Sequence, residues 1–196
     1  MIAVVRDKAR AAGLTGFRAL ACAFEDLQAS AGSFYLVAIG NAFHRLPRDA
    51  VAASSYRWLR PGGFLALVWG GSPDEGEAPW QRALGATMDQ WKTQVQAHGR
   101  VPADYERARR ERPDFAILRD AGFETVGRHQ FAAVRDWTAE TLAGYVMSTS
   151  VLSPVALGDR TTEFADDLRR ALHASQPDVL FRQTIIFACD LARRPA

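Results

Sequence analysis

The sequence predicts an α/β fold, on three observations. Two continuous apolar runs, FYLVAIG (34–40) and FLALVW (64–69), have the length and content of strands buried on both faces. Between them lies a helical stretch opened by Pro47 and closed by Pro61 and two glycines, the kind of connection that parallel strands require. Two further strand-like segments, 125–134 and 179–192, follow near the C-terminus with helical sequence between them.

Each element has its own grounds. Residues 2–12 read as a helix with Ile2, Val5 and Ala9 on one face, stopped by Gly13. FRALACAF (17–24) reads as a strand, and FYLVAIG as a stronger one. The helix after Pro47 buries Val51, Trp58 and Leu59, and PGG (61–63) turns the chain into the next strand. GGSPDEGEAP (70–79) is a loop. A helix over about 78–98 carries Trp80, Leu84, Met88 and Trp91 at helical spacing, and a shorter one over 114–121 ends on AGF (121–123). Thr138 caps a helix bearing Leu142 and Tyr145. Thr161 or Thr162 caps another with Phe164, Leu168 and Leu172 on one face.

Composition bounds the function. A chain of 196 residues suits one domain, 1–196, and such a chain buries roughly 70% of its unfolded surface. With 48% hydrophobic and 23% charged residues and a net charge of +2, it has the make-up of a soluble globular protein. The basic pairs Arg109-Arg110, Arg169-Arg170 and Arg193-Arg194 have acidic neighbours or lie at the tail, so they read as solvated faces and not as a nucleic-acid footprint. No apolar run is long enough to cross a bilayer, no secretory leader is visible, and a cytoplasmic location is expected. Cys22 and Cys189 sit in apolar runs and read as buried thiols, a disulfide between them being left open. No His/Cys spacing suggests a metal.

In open α/β sheets a ligand meets the carboxyl ends of the strands. Gly40, Asn41 and His44 follow FYLVAIG there, offering close backbone approach, an amide and an imidazole.

AFEDL (23–27), SFYLVAIGNAFHRL (33–46), LRPGGFLALVW (59–69), LRDAGFETV (118–126) and DWTAETLAGYVMSTS (136–150) occur in order across nearly the whole chain. Together they resemble the class I S-adenosylmethionine-dependent methyltransferases, most closely the bacterial small-molecule branch. The resemblance implies a Rossmann-like sheet in the order 3-2-1-4-5-7-6 and a helical lid insertion over 136–178 before the last strand. It implies S-adenosylmethionine as cofactor and a small-molecule methyl acceptor. It places Ala23, Phe24 and Glu25 at the adenine, Gly40 and Asn41 beside the sulfonium, and His44 as a catalytic base or a cap of its own turn. Trp69, Trp137 and Tyr145 would wall the acceptor pocket or belong to the core.

One feature departs from the family pattern. The G-x-G-x-G loop and the ribose-binding acid that would precede AFEDL are absent, and MIAVVRDKARAAGL aligns on the helix that follows that acid. The expectation is an N-terminally truncated sheet lacking its first two strands. An internal start codon, a genuine truncation, and completion of the sheet by another copy or a partner stand as alternatives. Two consequences follow. S-adenosylmethionine should bind this chain weakly or not at all. Strand 17–24 should either close onto strand 34–40, or leave an exposed edge that invites a homodimer. A non-catalytic remnant used for interaction is the alternative function.

Overall fold

The computed structural model describes residues 2–97, 105–176 and 180–196. Its elements run α1 (Ile2–Ala11), β1 (Phe34–Gly40), α2 (Arg48–Trp58), β2 (Leu59–Gly70), α3 (Pro79–Gln94), α4 (Tyr105–Glu111), α5 (Asp114–Asp120), β3 (Glu124–Trp137), α6 (Ala139–Ser148), α7 (Pro154–Leu157), α8 (Thr161–Ser175) and β4 (Phe181–Arg193). The last residue of the expected 78–98 helix and the first of the expected 179–192 strand lie outside the described residues.

The four strands form one mixed sheet in the order β1-β2-β4-β3. β1 and β2 are parallel, with Leu36 opposite Phe64 and Gly40 opposite Val68, and β4 runs antiparallel to both of its neighbours. This order is the 4-5-7-6 half of the sheet expected from the resemblance. The PGG turn appears as a break in register, because Phe34 lies opposite Leu59 while Leu36 lies opposite Phe64. Gly62 takes φ +75 there, a value that favours glycine, and its N–H donates to the Arg194 carbonyl at 3.0 Å.

Two cores flank the sheet. Leu65, Leu67 and Ala192 pack with Val51 of α2 and with Ile117 and Phe123 around α5. Phe181 and Ile185 pack with Trp80 and Trp91 of α3, Leu142 of α6 and Phe164 of α8. Side chains alternate along a strand, so odd-numbered Phe181 and Ile185 face away from even-numbered Ala192 and the two cores lie on opposite faces. Burying each such large apolar side chain contributes about 1.5–3 kcal/mol. The Trp91 indole also donates to Asp167 at 3.2 Å, which ties α3 to α8.

The N-terminal region differs from expectation. Residues 17–24 form no strand: the segment is irregular until a 3-10 turn at Phe24–Asp26, and it does not pair with β1. Phe17 and Leu20 are exposed. An apolar run becomes a strand only when its backbone N–H and C=O groups find a neighbour, and no strand among the described residues supplies one. Closure of 17–24 onto 34–40 is therefore overturned. Cys22 is likewise exposed and Cys189 only half-buried, both as free thiols. α1 buries Ala9 alone, while Val5 remains exposed. Its predicted stop holds: Gly13 at φ +66 donates to Arg10 and Leu14 donates to Ala9, both at 3.0 Å.

β1 is thus an edge strand among the described residues. Phe34, Tyr35 and Leu36 are 44%, 54% and 53% exposed, although nothing in the strand is charged.

Candidate functional site

The parallel pair delivers its carboxyl ends to one place. β1 stops at Gly40 and Asn41 follows at φ +47, one of two non-glycine residues in the left-handed region among those described. Its N–H donates to the Val68 carbonyl at 2.7 Å, so the kink is held against β2. Asparagine tolerates this conformation better than most residues, and such outliers gather at ligand sites. Beside it, β2 runs out into Gly70 and Gly71. A Cβ on Gly70 would lie 2.7 Å from the Phe187 ring of β4, so any larger residue would have to displace that ring.

Two cavities meet at this point. One, of about 380 Å³, is bounded by Asn41, His44, Trp69, Glu75, Arg109 and Asp114. The other, of about 300 Å³, is bounded by Gly40, Trp69, Arg135, Trp137, Tyr145 and Phe187. Asn41, Val68, Trp69, Gly70 and Gly71 line both, so they form the wall between a polar chamber and an aromatic one.

In the polar chamber the charges are mostly spoken for. Asp114 accepts from Arg48 at 2.9 Å and from Arg109 at 3.2 Å. Arg109 and Arg128 each lie over the Trp69 ring, at 5.6 and 4.9 Å from its centroid. Arg128 also makes a two-pronged bond, at 2.5 and 2.8 Å, to Asp190, whose side chain is 2% exposed. Hydrogen bonding to Asp190 raises the Arg128 pKa above its ordinary value. Glu75 accepts from the Ser72 N–H at 3.0 Å and closes the loop after β2.

His44 sits in a 3-10 turn, Phe43–Arg45, at the edge of this chamber. Burial, and after it the Arg45 and Arg109 charges, lower its pKa from the ordinary 6.5, against a smaller opposing effect of Asp114. Arg45 Nε donates to His44 Nε2 at 3.2 Å, so Nδ1 carries the proton of the neutral ring. For Nε2 to take a proton, Arg45 must move. Arg45 also donates to Ser150, beyond α6.

The aromatic chamber is braced from behind. Trp137 and Tyr145 meet edge to face at 5.5 Å. The Trp137 indole donates to Gln183 at 3.1 Å, and the Gln183 amide donates to the Ser72 carbonyl at 3.0 Å. This chain of bonds holds the loop after β2 against the wall. Thr138 caps α6 and accepts from the Thr141 N–H at 3.2 Å, which positions Tyr145 two turns further on.

The expected site residues divide into two groups. Gly40, Asn41, Trp69, Trp137 and Tyr145 come together around the aromatic chamber, and His44 borders the polar one. Ala23, Phe24 and Glu25 line neither cavity. Phe24 turns onto Trp58 instead, with ring centroids 6.0 Å apart. Arg109, Asp114, Glu75, Arg135 and Phe187 escaped the sequence reading. Arg109, expected on a solvated face, lines the polar chamber beside Asp114. The one signal available for this region was the Gly70-Gly71 pair directly after a buried strand. Among the described residues no group of three or more His, Cys, Asp or Glu side chains could hold a metal ion. No helix of the described residues is long and apolar enough to cross a membrane.

The class these features define is an α/β protein with a two-chamber site at the carboxyl ends of a parallel strand pair. Residues 1–67 match a family model described as "Methyltransferase domain", and this segment ends within β2. The sequence motifs and the family model therefore point to the same kind of protein. No curated protein matches the chain. Among solved structures it is similar to the cyclase SpnF, at 18% identity and TM-score 0.47, covering all of this chain and 62% of that one. It is similar to the YcgJ protein of Bacillus subtilis, at 11% identity and TM-score 0.48, covering all of this chain and 79% of that one. It is also similar to a geranyl diphosphate C-methyltransferase from Streptomyces coelicolor A3(2), at 12% identity and TM-score 0.42, covering 98% of this chain and 59% of that one.

The residues at the chamber wall fit the sulfonium end of S-adenosylmethionine. Around the chamber wall, Gly40, Asn41, Gly70 and Gly71 give small residues, an amide and open space, since a Cβ on Gly40 would meet nothing within 4 Å. Glu75 and Asp114, the carboxylates lining the polar chamber, already have partners.

Proposed function

We propose that this chain transfers a methyl group from S-adenosylmethionine to a small-molecule acceptor seated in the aromatic chamber. The observation that carries the reading is the methyltransferase-domain match over residues 1–67, whose segment supplies Gly40 of the aromatic chamber and Asn41 of the wall between the chambers. The cofactor supplies a methyl group already activated as a sulfonium, so the protein's task is chiefly to hold an acceptor in line and exclude water. Trp137 and Tyr145 hold the acceptor, Trp69 contributes to the wall with its ring turned to the polar side, and Asn41 orients polar groups at the wall. His44 borders the polar chamber and not the acceptor's, so its role here is to shape the turn after β1.

Affinity of this 196-residue chain for the cofactor is expected to be low, because its sequence carries no G-x-G-x-G loop. Titration calorimetry with S-adenosylmethionine, followed by transfer of labelled methyl to a panel of small acceptors, tests the reading. Absence of both binding and transfer, with the fold intact, would defeat it.

The uncharged, exposed edge of β1 favours a second reading, an interaction protein. Two copies of an identical uncharged edge can pair antiparallel about a two-fold axis and continue the sheet, giving a homodimer. Light scattering across a concentration series distinguishes a dimer from a monomer. Localisation in the cytoplasm is part of the same proposal.

A further inference from the structure

We infer that the aromatic chamber takes a planar organic acid, its carboxylate held by Arg135. As a statement about the methyl acceptor this rests on the transfer reading above. As a statement about a ligand it does not.

Among the described residues Arg135 is the one charged residue lining the chamber, whose other walls are aromatic, aliphatic or glycine except for the Asn41 amide. Its charge is also uncompensated. Along β3, Arg128 is paired with Asp190, and Asp136 binds Arg182 of β4 at 2.7 and 2.9 Å. Arg135 makes no ion pair with any described residue, and Asp136 beside it points to the other face by strand alternation. Arg135 shares its face with Trp137 and lies over that ring, its guanidinium carbon 3.9 Å from the centroid. Stacking on an indole fixes the plane of the guanidinium and leaves its N–H edge free. An oriented, unpaired, planar fork at the opening of an aromatic slot is complementary to a carboxylate attached to a flat apolar body. A neutral ligand would leave that fork in water and gain nothing from it. A cationic ligand would be repelled. A volume of about 300 Å³ lies at the lower end of the range for small-molecule sites, which suits a compact ring system.

The test uses naphthoate and its neutral isostere naphthamide as probes, titrated by calorimetry into the full chain without cofactor. Naphthoate should bind about tenfold more tightly than naphthamide at low salt, the gain expected of a charge-assisted pair. Arg135→Gln should abolish that preference, so that acid and amide bind alike whatever the change in absolute affinity. Tyr145→Ala should weaken both probes together. Circular dichroism checks that each variant is folded. Equal affinity of acid and amide for the unaltered chain, a preference that survives Arg135→Gln, or no binding of either probe to the folded protein would each overturn the inference. Silence toward S-adenosylmethionine alongside a preserved acid preference would defeat the transfer reading alone.

Discussion

Replacing Asn41 by glycine and by alanine separates what its backbone does from what its amide does. The residue sits at φ +47, where an ordinary L side chain costs about 1–2 kcal/mol. Alanine must meet that cost without the local hydrogen bonding that helps asparagine. Glycine escapes it, but gives back about 0.4–1 kcal/mol through a freer unfolded chain. The 2.7 Å bond from the residue-41 N–H to Val68 survives in both variants, so it cancels. Asn41→Gly should therefore lie within about 0.5 kcal/mol of the parent, and Asn41→Ala about 1 kcal/mol below it. For a domain of this size 1 kcal/mol corresponds to roughly 2–4 °C in Tm. Thermal and urea unfolding followed by circular dichroism resolve such a gap. Both variants lose the amide, so S-adenosylmethionine binding should fall equally in the two despite their different stabilities. Equal Tm values for Gly and Ala would show that the left-handed turn is not a constraint here. Unchanged cofactor binding in both would remove the amide from the site.

Asp190→Ala should destabilise the protein by about 2–3 kcal/mol in urea unfolding: breaking a buried pair costs about 3–5, and Arg128, with 45% of its side chain exposed, recovers part of that in water. A loss under about 0.5 kcal/mol would mean the pair contributes little. His44 has a folded pKa below its unfolded value of 6.5, so the unfolded chain binds the extra proton first. Stability from this group is then full above that value and declines as pH falls through it toward the folded pKa. His44→Gln should flatten the slope of unfolding free energy against pH in that window, and an unaltered slope would contradict the assignment. Leu36→Lys, at an exposed position of the β1 edge, should shift any dimer toward monomer in light scattering while moving Tm little; a dimer that persists unchanged would place its interface elsewhere.

The sheet was legible where pattern and partner coincide. FYLVAIG and FLALVW could be read as parallel strands because the Pro47 helix and the glycine turn between them leave few other arrangements. FRALACAF has the same apolar content and forms no strand, since a strand is a property of two segments and sequence displays one. The end of β1 was readable as a site because Gly40 and Asn41 follow an apolar run at its carboxyl end, although that run forms an exposed edge and is not buried on both faces as expected. That Trp69, Trp137 and Tyr145 share one chamber could come only from the resemblance, because no spacing links residues on β2, β3 and α6. Arg109 was misread because its sequence neighbours are charged, whereas its environment is set by Asp114 and by Trp69, forty positions earlier. Arg135 was invisible for a similar reason: a lone arginine becomes informative only when its ring contact and its lack of an ion pair among the described residues are seen.

The most direct test of the two-chamber account is an NMR titration of the labelled chain with S-adenosylmethionine at concentrations up to the millimolar range, about where weak binding of −4 kcal/mol becomes visible. The account predicts weak, saturable shifts of the Gly40, Asn41, Gly70 and Gly71 amides and of the Trp69 indole. It predicts little change at Ala23, Phe24 and Glu25, which line neither chamber. Shifts confined to residues 6–20, or no shifts at all from a folded chain, would contradict it.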